Sequence, residues 1–362
     1  MNKQAHPQPP AASRCRVSIV IKALNEEKNI AAAIETSLAA VAEVGGEVIL
    51  ADSHSTDRTV EIASKYPVRI VQLLHPRDRC CGVGPQLGYQ HARGEYLYIL
   101  DGDMKMIPGF LADALSFLAQ HPEAAGVGGR LVELNTESLE YRERGLRAAA
   151  HLSPGEVDRL DGGGLYRRRA IEESGYFSDR NLHSYEEFDL AVRLRSLGWK
   201  LWRIPVDSAT HYGHDSPPYQ LLLRRWRAGY VCGLGELLRS AIGQPQMKLV
   251  LRGMRELRIY SAVLAWWAAM ASVVFWPLPA LERAAIFAAL AVAPFLLMLW
   301  RKRSASRALY SVVSWSFNAG GLARGLAHRR RPPRDPIPSR VLHEPAASLQ
   351  PRNHQHFAGN RN

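Results

Sequence analysis

The sequence has only four cysteines, Cys15, Cys80, Cys81 and Cys232, and none of their spacings resembles a metal-ligand pair such as Cys-x-x-Cys. Neighbouring cysteines such as Cys80 and Cys81 rarely bridge each other. This scarcity argues against a disulfide framework and against a cysteine-bound metal. We therefore expect reduced thiols in a cytoplasmic compartment.

No secretory signal peptide is expected either. The first apolar stretch, Val17–Ile21, is shorter than the apolar core of such a peptide. The preceding residues 1–14 contain three prolines, and we expect them to form a short disordered lead-in.

Acidic residues are scarce near the C-terminus. The formal net charge is +12, and residues 301–362 contain twelve lysines and arginines against two acids. The first 300 residues are therefore close to neutral. No nucleic-acid-binding motif accompanies this charge, and Arg329–Arg331 is too short a cluster to indicate one. The basic C-terminal part fits a membrane surface at least as well, and no nucleic-acid partner is expected.

Alternating strand and helix patterns are present from residue 16 to about residue 130. Short apolar runs predict strands at 17–21, 48–51, 68–74 and 96–100, and periodic segments predict helices at 26–44, 56–65, 85–92 and 109–120. Asn25 is the expected N-cap of the first helix. Farther along, we predict a helix at 187–197 and a strand at 200–204. Such alternation indicates an α/β fold with a mostly parallel sheet and helices on both faces.

Three aspartates follow predicted strands directly. Asp52 follows the second strand, and Asp101-Gly102-Asp103 closes the apolar run 96–100. Ligands of such sheets bind beyond the carboxyl ends of the strands. Hard cations such as Mg²⁺ and Mn²⁺ share oxygen ligands between carboxylates and phosphates, and the glycine would allow the sharp turn that brings both carboxylates to one ion. Asp-Gly alone is also an ordinary turn signal.

The segment 246–328 has the pattern of a membrane region. Residues 259–276 and 284–300 carry no charge, and each run is just long enough to cross about 30 Å of hydrocarbon. A pair of buried core helices is the alternative. Basic residues flank the pair on its outer sides, which predicts a transmembrane helical hairpin with both ends in the cytoplasm. We expect an interfacial helix at 305–327 and a disordered basic tail at 329–362.

Four segments occur in the order typical of one known family. They are Val17–Ile21 with Asn25–Ile30, Ala51–Thr59, Gly84–Asp103, and Glu186–Leu190. The region 15–245 thereby resembles the family 2 glycosyltransferases, inverting enzymes of the GT-A fold. The resemblance implies a GT-A domain over 15–245 and a bacterial-type enzyme anchored in the inner membrane, with several spans and a cytoplasmic catalytic domain.

The resemblance also implies a donor site. Asp52 would bind the base of the nucleotide sugar, with Asn25 and Glu26 in the same site. Asp101 would contact the ribose or the metal shell, and Asp103 would ligate Mn²⁺ or Mg²⁺ directly. For Asp52, the alternative is capping of the following helix.

A histidine completes the metal shell in some proteins of this fold, and His211 is the candidate here. A satisfied loop histidine is the alternative reading for His211.

A catalytic base and acceptor contacts are implied as well. Glu187 would take the proton from the acceptor hydroxyl, and Asp189 is the second candidate for this base. The alternative is that these acids only stabilise the N-terminus of a helix with their negative charge. Arg225 and Trp226 would contact phosphates or the acceptor, or else anchor a helix at the membrane surface.

The sequence departs from the family pattern at a few positions. Lys22 replaces a common proline, and Ser53 replaces a frequent aspartate. Leu222 takes the place of the glutamine in the Q-x-x-R-W motif of processive members, which favours transfer of a single sugar.

The expected function is transfer of a sugar from a nucleotide-sugar donor, first of all a UDP-sugar, to a lipid-linked or membrane-proximal acceptor in cell-surface polysaccharide or glycolipid synthesis. A catalytically idle membrane-bound scaffold is the alternative. A nucleotidyltransferase would need a glycine-rich phosphate loop with a lysine near the first strand, and residues 22–25 contain none.

Overall fold

The computed structural model describes residues 15–134, 152–212 and 217–345. Ten strands of this part form one sheet. The strands are β1 (Val17–Ala23), β2 (Gly46–Asp52), β3 (Arg69–Leu73), β4 (Tyr96–Asp101), β5 (Met104–Met106), β6 (Ala124–Glu133), β7 (Gly155–Val157), β8 (Leu165–Arg167), β9 (Lys200–His211) and β10 (Ser339–His343). The predicted lead-in 1–14 lies outside the described residues.

The sheet is mixed, so the expectation of a mostly parallel sheet is wrong. Its order is β10-β3-β2-β1-β4-β8-β6-β9-β5, and β7 pairs with β9. β1 runs parallel to β2 and β4, β2 to β3, and β6 to β9. Among the described strands the other five pairings are antiparallel. Residues 16–101 follow the strand–helix repeat that produces parallel neighbours, whereas the antiparallel pairs of the described sheet join strands that are not consecutive in the chain.

Twelve α-helices accompany the sheet in the described residues. They are α1 (Ile30–Val44), α2 (Thr59–Ala63), α3 (Val83–His91), α4 (Phe110–Gln120), α5 (Arg168–Ser174), α6 (Glu186–Ser196), α7 (Pro218–Arg227), α8 (Gly233–Ala241), α9 (Met247–Gly253), α10 (Glu256–Val273), α11 (Ala280–Lys302) and α12 (Ala305–Ala327).

Helices cover both faces of the sheet, as the alternating pattern predicts. The apolar faces of α1 and α4 pack on one side, in a cluster that includes Ile19, Ile34 and Leu115. The apolar faces of α3, α5 and α6 pack on the other side around Val20 and Leu87. Because β1 contributes to both clusters, nearly all of its residues are buried, and its sequence is a continuous apolar run rather than an alternating one.

The first helix begins later than expected. Asn29, and not Asn25, is its N-cap residue, and the helix runs from Ile30 to Val44. Asn25 has a left-handed backbone conformation with φ of 60°. Asparagine tolerates this conformation better than most residues, so Asn25 forms a turn ahead of the helix.

The C-terminal helices differ from the predicted hairpin of two spans. One helix of the described residues, α11, is long and apolar enough to cross a membrane. The preceding helix, α10, begins with Glu256 and includes Arg258, which lowers its apolar content. The structure therefore does not support a multi-pass hairpin.

The helix expected at 305–327 is present as α12, and its interfacial position stays a prediction. α12 buries small residues, including Ala319, Gly321 and Gly325. A side-chain carbon on Gly325 would meet the carbonyl oxygen of Cys232 at 2.1 Å, so the two segments touch backbone to backbone. α12 is therefore packed on the catalytic part of the chain.

The tail expected to be disordered is structured up to residue 345. β10 pairs antiparallel with β3 at the edge of the sheet, and Arg69 forms an ion pair of 2.9 Å with Glu344. The sequence pattern around β10 is too short and too polar to predict a strand alone, and β10 is stabilised by the exposed edge that it covers. Residues 346–362 of the predicted tail lie outside the described part of the chain.

Candidate active site

The loops that follow β1 and β2 are tied together by hydrogen bonds. The Asn25 side-chain oxygen accepts from the Thr56 N–H at 2.8 Å, and the Asn25 N–H donates to Ser55 Oγ at 2.9 Å. The Glu26 N–H donates to Thr59 Oγ1 at 2.8 Å. Asn25 and Glu26 thus hold the loop after β2 against the carboxyl end of β1.

Asp52 is fully buried at the end of β2. Its carboxylate accepts from the Ser55 N–H at 3.0 Å and from Gln72 Nε2 at 2.7 Å. A buried carboxylate requires such partners. Asp52 therefore orders the loop that leads to α2, and its predicted contact with a nucleotide base stays a prediction.

Asp101 ends β4, and its Oδ1 lies 2.9 Å from Lys22 Nζ. The parallel pairing of β1 with β4 sets Lys22 opposite Asp101, so the ion pair follows from the strand register. Gly102 comes next. It does not require a left-handed conformation, but a side-chain carbon there would lie 2.8 Å from Glu26 Cγ. The glycine is needed for this close approach and not for the sharp turn that the sequence suggested.

Asp103 meets His211, as predicted for a shared metal shell. Asp103 Oδ2 lies 3.4 Å from His211 Nε2, and His211 Nδ1 lies 2.5 Å from Glu133 Oε2. β9 extends beyond the predicted strand as far as His211, and β5 pairs with it so that Met104 lies opposite His211. This pairing brings the histidine to the residue that precedes Met104.

The pair Asp103–His211 has the donor chemistry of a divalent-metal site. Burial opposes protonation of His211, but hydrogen bonds to Asp103 and Glu133 raise its pKa to about 9. Carboxylate oxygen and imidazole nitrogen both suit Mn²⁺. The residues present therefore fit a divalent metal. Asp101, in contrast, is paired with Lys22 and contributes to this site less directly than predicted.

Glu26 adds to the negative charge at this edge of the sheet. Burial, opposed by a hydrogen bond from Asn29 and aided by the nearby Asp103 and Asp101, raises the pKa of Glu26 to about 7. Carboxylates that repel one another in this way favour a cation among them.

Glu187 lies in the first turn of α6, partly buried. The residue before this helix, Tyr185, has φ of 67°, a strained conformation for a bulky residue and one that clusters at functional sites. The Gly162 N–H donates to Glu187 Oε1 at 3.3 Å. Burial, followed by the nearby Asp161, raises the pKa of Glu187 to about 8, within the range useful for a general base near neutral pH.

Lys22 connects the acid at the end of β4 with the acids at the start of α6. This role was not predicted from the sequence. Lys22 Nζ lies 2.9 Å from Asp101 and 3.6 Å from Glu186. Burial opposes its charge, but Asp101 and Glu186 hold the pKa of Lys22 well above its usual value. A lysine at a position where the family commonly has a proline was the sequence signal that could have pointed to this role.

Asp189 does not belong to this group of acids. Its carboxylate is buried and lies 2.9 Å from Arg193 Nε. Arg193 in turn donates to the carbonyl oxygens of Tyr176 and Phe177 at 2.7 and 2.9 Å. Asp189 therefore supports the packing of α6, which argues against its reserve role as a base.

Arg225 and Trp226 lie on α7, against the C-terminal helices. The Trp226 ring packs on Phe317 with centroids 5.4 Å apart, and the Arg324 guanidinium lies 5.8 Å from its centroid. Arg225 lies over the Tyr230 ring at 5.3 Å. Trp226 thus joins α7 to α12, and the predicted acceptor contacts of both residues stay predictions.

The chain is similar to several known proteins. Residues 18–175 match the model of glycosyl transferase family 2. An uncharacterised protein of Mycobacterium tuberculosis is 36% identical over 112 residues, which are 30% of this chain and 32% of that protein. The undecaprenyl-phosphate 4-deoxy-4-formamido-L-arabinose transferase of Pectobacterium carotovorum is 32% identical over 133 residues, which are 35% of this chain and 39% of that protein. The match therefore spans about a third of the length of such relatives.

A solved structure extends the similarity to most of the chain. The mannosyltransferase PcManGT from Pyrobaculum calidifontis, in complex with GDP-Man and Mn²⁺, has a TM-score of 0.57 and 20% identity. The match covers 87% of this chain and 88% of that chain. At this identity the likeness concerns the fold, and it confirms the GT-A-like α/β architecture expected from the sequence.

Proposed function

Because residues 18–175 match the model of glycosyl transferase family 2, we propose that the chain transfers a single sugar, with inversion, from a nucleotide-sugar donor to a lipid-linked or membrane-proximal acceptor. One observation carries this proposal. Lys22 contacts both Asp101 and Glu186, so the acids of the predicted donor site and those of the predicted base form one connected group. A transfer reaction needs both parts at one place.

Asp103 and His211 would hold a divalent metal beside the donor diphosphate. The bound metal would supply the positive charge that stabilises the departing nucleoside diphosphate. Their separation of 3.4 Å and their mixed oxygen and nitrogen donors support this assignment. Asp101, beside its ion pair with Lys22, would contact the ribose or the metal shell, and Asp52, Asn25 and Glu26 would shape the nucleotide pocket. UDP-sugars are the first donor class to test.

Glu187 would accept the proton of the acceptor hydroxyl as that oxygen attacks the anomeric carbon. Its raised pKa makes the carboxylate basic enough to take this proton, and Gly162 holds it in position. A single displacement inverts the anomeric carbon. Glu186, 3.6 Å from Lys22, would keep the lysine between the two parts of the site.

A lipid-linked acceptor in a membrane fits the C-terminal helices. The ends of the candidate span α11 expose large apolar side chains, including Leu281 at 82% and Trp300 at 79%. Surfaces of this kind mark membrane or protein contacts. A relative that acts on undecaprenyl phosphate, by its name, supports the same acceptor class. The chain before α11 and the chain after it join one sheet, so both parts lie on the same side of the membrane, which we place on the cytoplasmic side because basic residues flank the helices.

The test is a donor screen with the full chain in lipid nanodiscs. UDP- and GDP-sugars are supplied with Mn²⁺ or Mg²⁺, and both sugar transfer to a saccharide linked to polyprenyl diphosphate and slow donor hydrolysis are measured. We expect metal-dependent turnover with one donor class, and about 10²–10³-fold less of it in Asp103→Ala. Failure of every donor to bind or react would favour the catalytically idle scaffold instead.

A further inference from the structure

A cavity of about 180 Å³ lies between the catalytic domain and the C-terminal segment (residues 328–345). Its walls contain seven arginines and only two acids, which are Arg77, Arg79, Arg180, Arg239, Arg329, Arg330 and Arg331, with Asp78 and Glu236. We call it the arginine cavity. Its lining carries a formal excess of five positive charges, far more than the nearly neutral first 300 residues would suggest.

Four of the arginines are held by protein groups. Arg330 and Arg331 form ion pairs with Asp179 and Asp78 at 2.6 and 3.0 Å. Arg180 donates to the carbonyl oxygens of Asp335 and Pro336 at 3.1 and 3.0 Å. Arg79 donates to the carbonyl oxygen of Ser53 at 2.8 Å and to that of His54. These contacts fix the cavity walls without neutralising most of their charge.

Arg239 lines the cavity as well. Within the part of the chain that the structure describes, its Nη1 atom is buried and has no hydrogen-bond partner. A buried donor on a charged group is costly when it is left unpaired. Because Nη1 itself is hidden from the cavity, the case for an anion rests on the excess positive charge of the lining arginines, which an anion in the cavity would offset.

The acids of the cavity are not available as counter-ions. Glu236 Oε1 lies 2.8 Å from His183 Nδ1 and 2.6 Å from His328 Nδ1. These three side chains also form a compact group of metal-ligand type. The surrounding guanidinium groups oppose a metal cation at this place, so the histidines and Glu236 are better explained as a hydrogen-bonded support.

The size and chemistry of the cavity select the class of anion. A cavity of about 180 Å³ has room for a group of the size of a phosphate or diphosphate. The planar fork of arginine matches phosphate oxygens in bidentate contacts.

The position of the cavity connects it with the acceptor side. His183 lines it, and Glu187 lies four residues farther along the same segment. Four residues span at most about 14 Å. A phosphate in the cavity therefore lies within reach of an acceptor whose hydroxyl is beside Glu187.

We propose that the arginine cavity is a phosphate-binding site, separate from the donor site, which takes the phosphate or diphosphate of the acceptor. Its acceptor role rests on the proposed function, whereas phosphate binding itself does not. The ligand chemistry could come from a lipid headgroup or from a free phosphate compound.

The experiment measures the dissociation constant of inorganic pyrophosphate by calorimetry. It uses the full chain in phosphatidylcholine nanodiscs with EDTA, so that no metal assists the donor site. Arg77 and Arg329 are exposed, so Arg77→Ala/Arg329→Ala is expected to fold. We expect that variant, and Arg239→Gln, to weaken binding at least about tenfold, since each removes charge-assisted hydrogen bonds.

The control Arg58→Ala/Arg169→Ala removes two exposed arginines elsewhere (66% and 81% exposed) and should leave the constant within about twofold. Asp103→Ala should also leave the pyrophosphate dissociation constant unchanged, because Asp103 belongs to the donor site and not to the arginine cavity. A failure of the cavity to bind phosphate can then be told apart from a failure of the proposed function. Absence of pyrophosphate binding, equal weakening in the control pair, or loss of binding in Asp103→Ala would each overturn the proposal.

A second arm identifies the source of the phosphate. Nanodiscs that contain phosphatidic acid are compared with phosphatidylcholine alone. Competition between phosphatidic acid and pyrophosphate in the wild type, but not in the Arg77/Arg329 variant, assigns the cavity to a lipid headgroup. If phosphatidic acid leaves pyrophosphate binding unchanged, the cavity is assigned to a soluble phosphate compound. Binding of zinc that depends on His183 and His328, in place of pyrophosphate, would show that the cavity is a cation site.

Discussion

The donor edge and the acceptor edge of the candidate site are built in different ways. The donor edge consists of strand ends and the loops that follow β1, β2 and β4, close together in the sequence between residues 22 and 103. The acceptor edge combines α6 with the loop at 161–163 and, beyond it, the C-terminal segment. Apart from His211, which β9 brings to Asp103, the donor edge follows from local pattern, and the acceptor edge depends on contacts between distant residues.

This difference separates residues that act in binding from those that act in proton transfer. Asp103 and His211 meet through a strand pairing at the donor edge. Glu187 has its raised pKa because of burial at the acceptor edge. Lys22 touches acids of both edges. Substitutions on the two sides should therefore affect different kinetic constants.

The largest effect is expected for Glu187→Gln, which keeps the shape of the side chain but removes the base. Loss of a general base costs about 10²–10⁴-fold in rate. The turnover number should fall by this factor, while the donor dissociation constant stays within about twofold of the wild-type value. Steady-state kinetics and donor binding are measured together, and Glu187→Asp is the control that retains part of the rate. A large loss of donor affinity in Glu187→Gln would contradict the separation of the two edges.

Asp103→Ala should act on the other edge. The metal supplies several kcal/mol of charge stabilisation, so we expect about 10²–10³-fold less activity together with weaker metal and donor binding. His211→Ala should have a smaller effect, about 10–100-fold in metal affinity. Mn²⁺ titrations of the donor affinity measure both. Unchanged metal dependence in Asp103→Ala would show that the metal assignment is wrong.

Asp189→Ala tests whether Asp189 acts in catalysis or only supports the packing of α6. It leaves the buried Arg193 without its partner at 2.9 Å. Breaking a buried ion pair costs about 3–5 kcal/mol of unfolding free energy, which urea unfolding measures. Activity per folded molecule should change little. Arg169→Ala, which breaks an exposed pair with Glu173, should leave the urea midpoint almost unchanged. A stable but inactive Asp189→Ala enzyme would restore Asp189 as the base.

The smallest effect is expected for Lys22→Met, as a shift along the pH axis. Lys22 lowers the pKa of Glu187 against the effect of burial, so its loss should raise that pKa. The active form is the carboxylate, and activity should then rise with pH through a higher midpoint than in the wild type. A shift of about one unit gives about tenfold less activity below the midpoint and recovery above it. A pH profile of kcat/KM measures this, and a parallel loss at every pH would argue against it.

Much of the donor edge was predictable from the sequence. The apolar runs predicted β1, β2 and β4, and parallel strands bring Asp52 and Asp101 to one edge. The pattern did not reveal the partners of these acids. Asn25 was expected as a helix cap and instead ties two loops together. Lys22 was treated as a minor departure, although the register of β1 with β4 sets it opposite Asp101.

The acceptor edge and the C-terminal part were less predictable. Glu187 and Asp189 are two residues apart in one acidic motif, and only packing separates the partly buried acid near Lys22 from the one paired with Arg193. The two predicted spans looked alike as apolar runs, yet one helix of the described residues has the length and composition to cross a membrane. β10 has no clear pattern of its own because its stability comes from the edge of β3.

The sequence alone determined the α/β class, the positions of the first four strands along the chain and the acids that follow them. Hydrophobic periodicity and the residues that end a strand are local properties of the chain. The tertiary structure decided the mixed sheet, the meeting of Asp103 with His211, the role of Lys22 and the arginine cavity. Each of these depends on strand register or packing between residues far apart in sequence, and no local pattern carries that information.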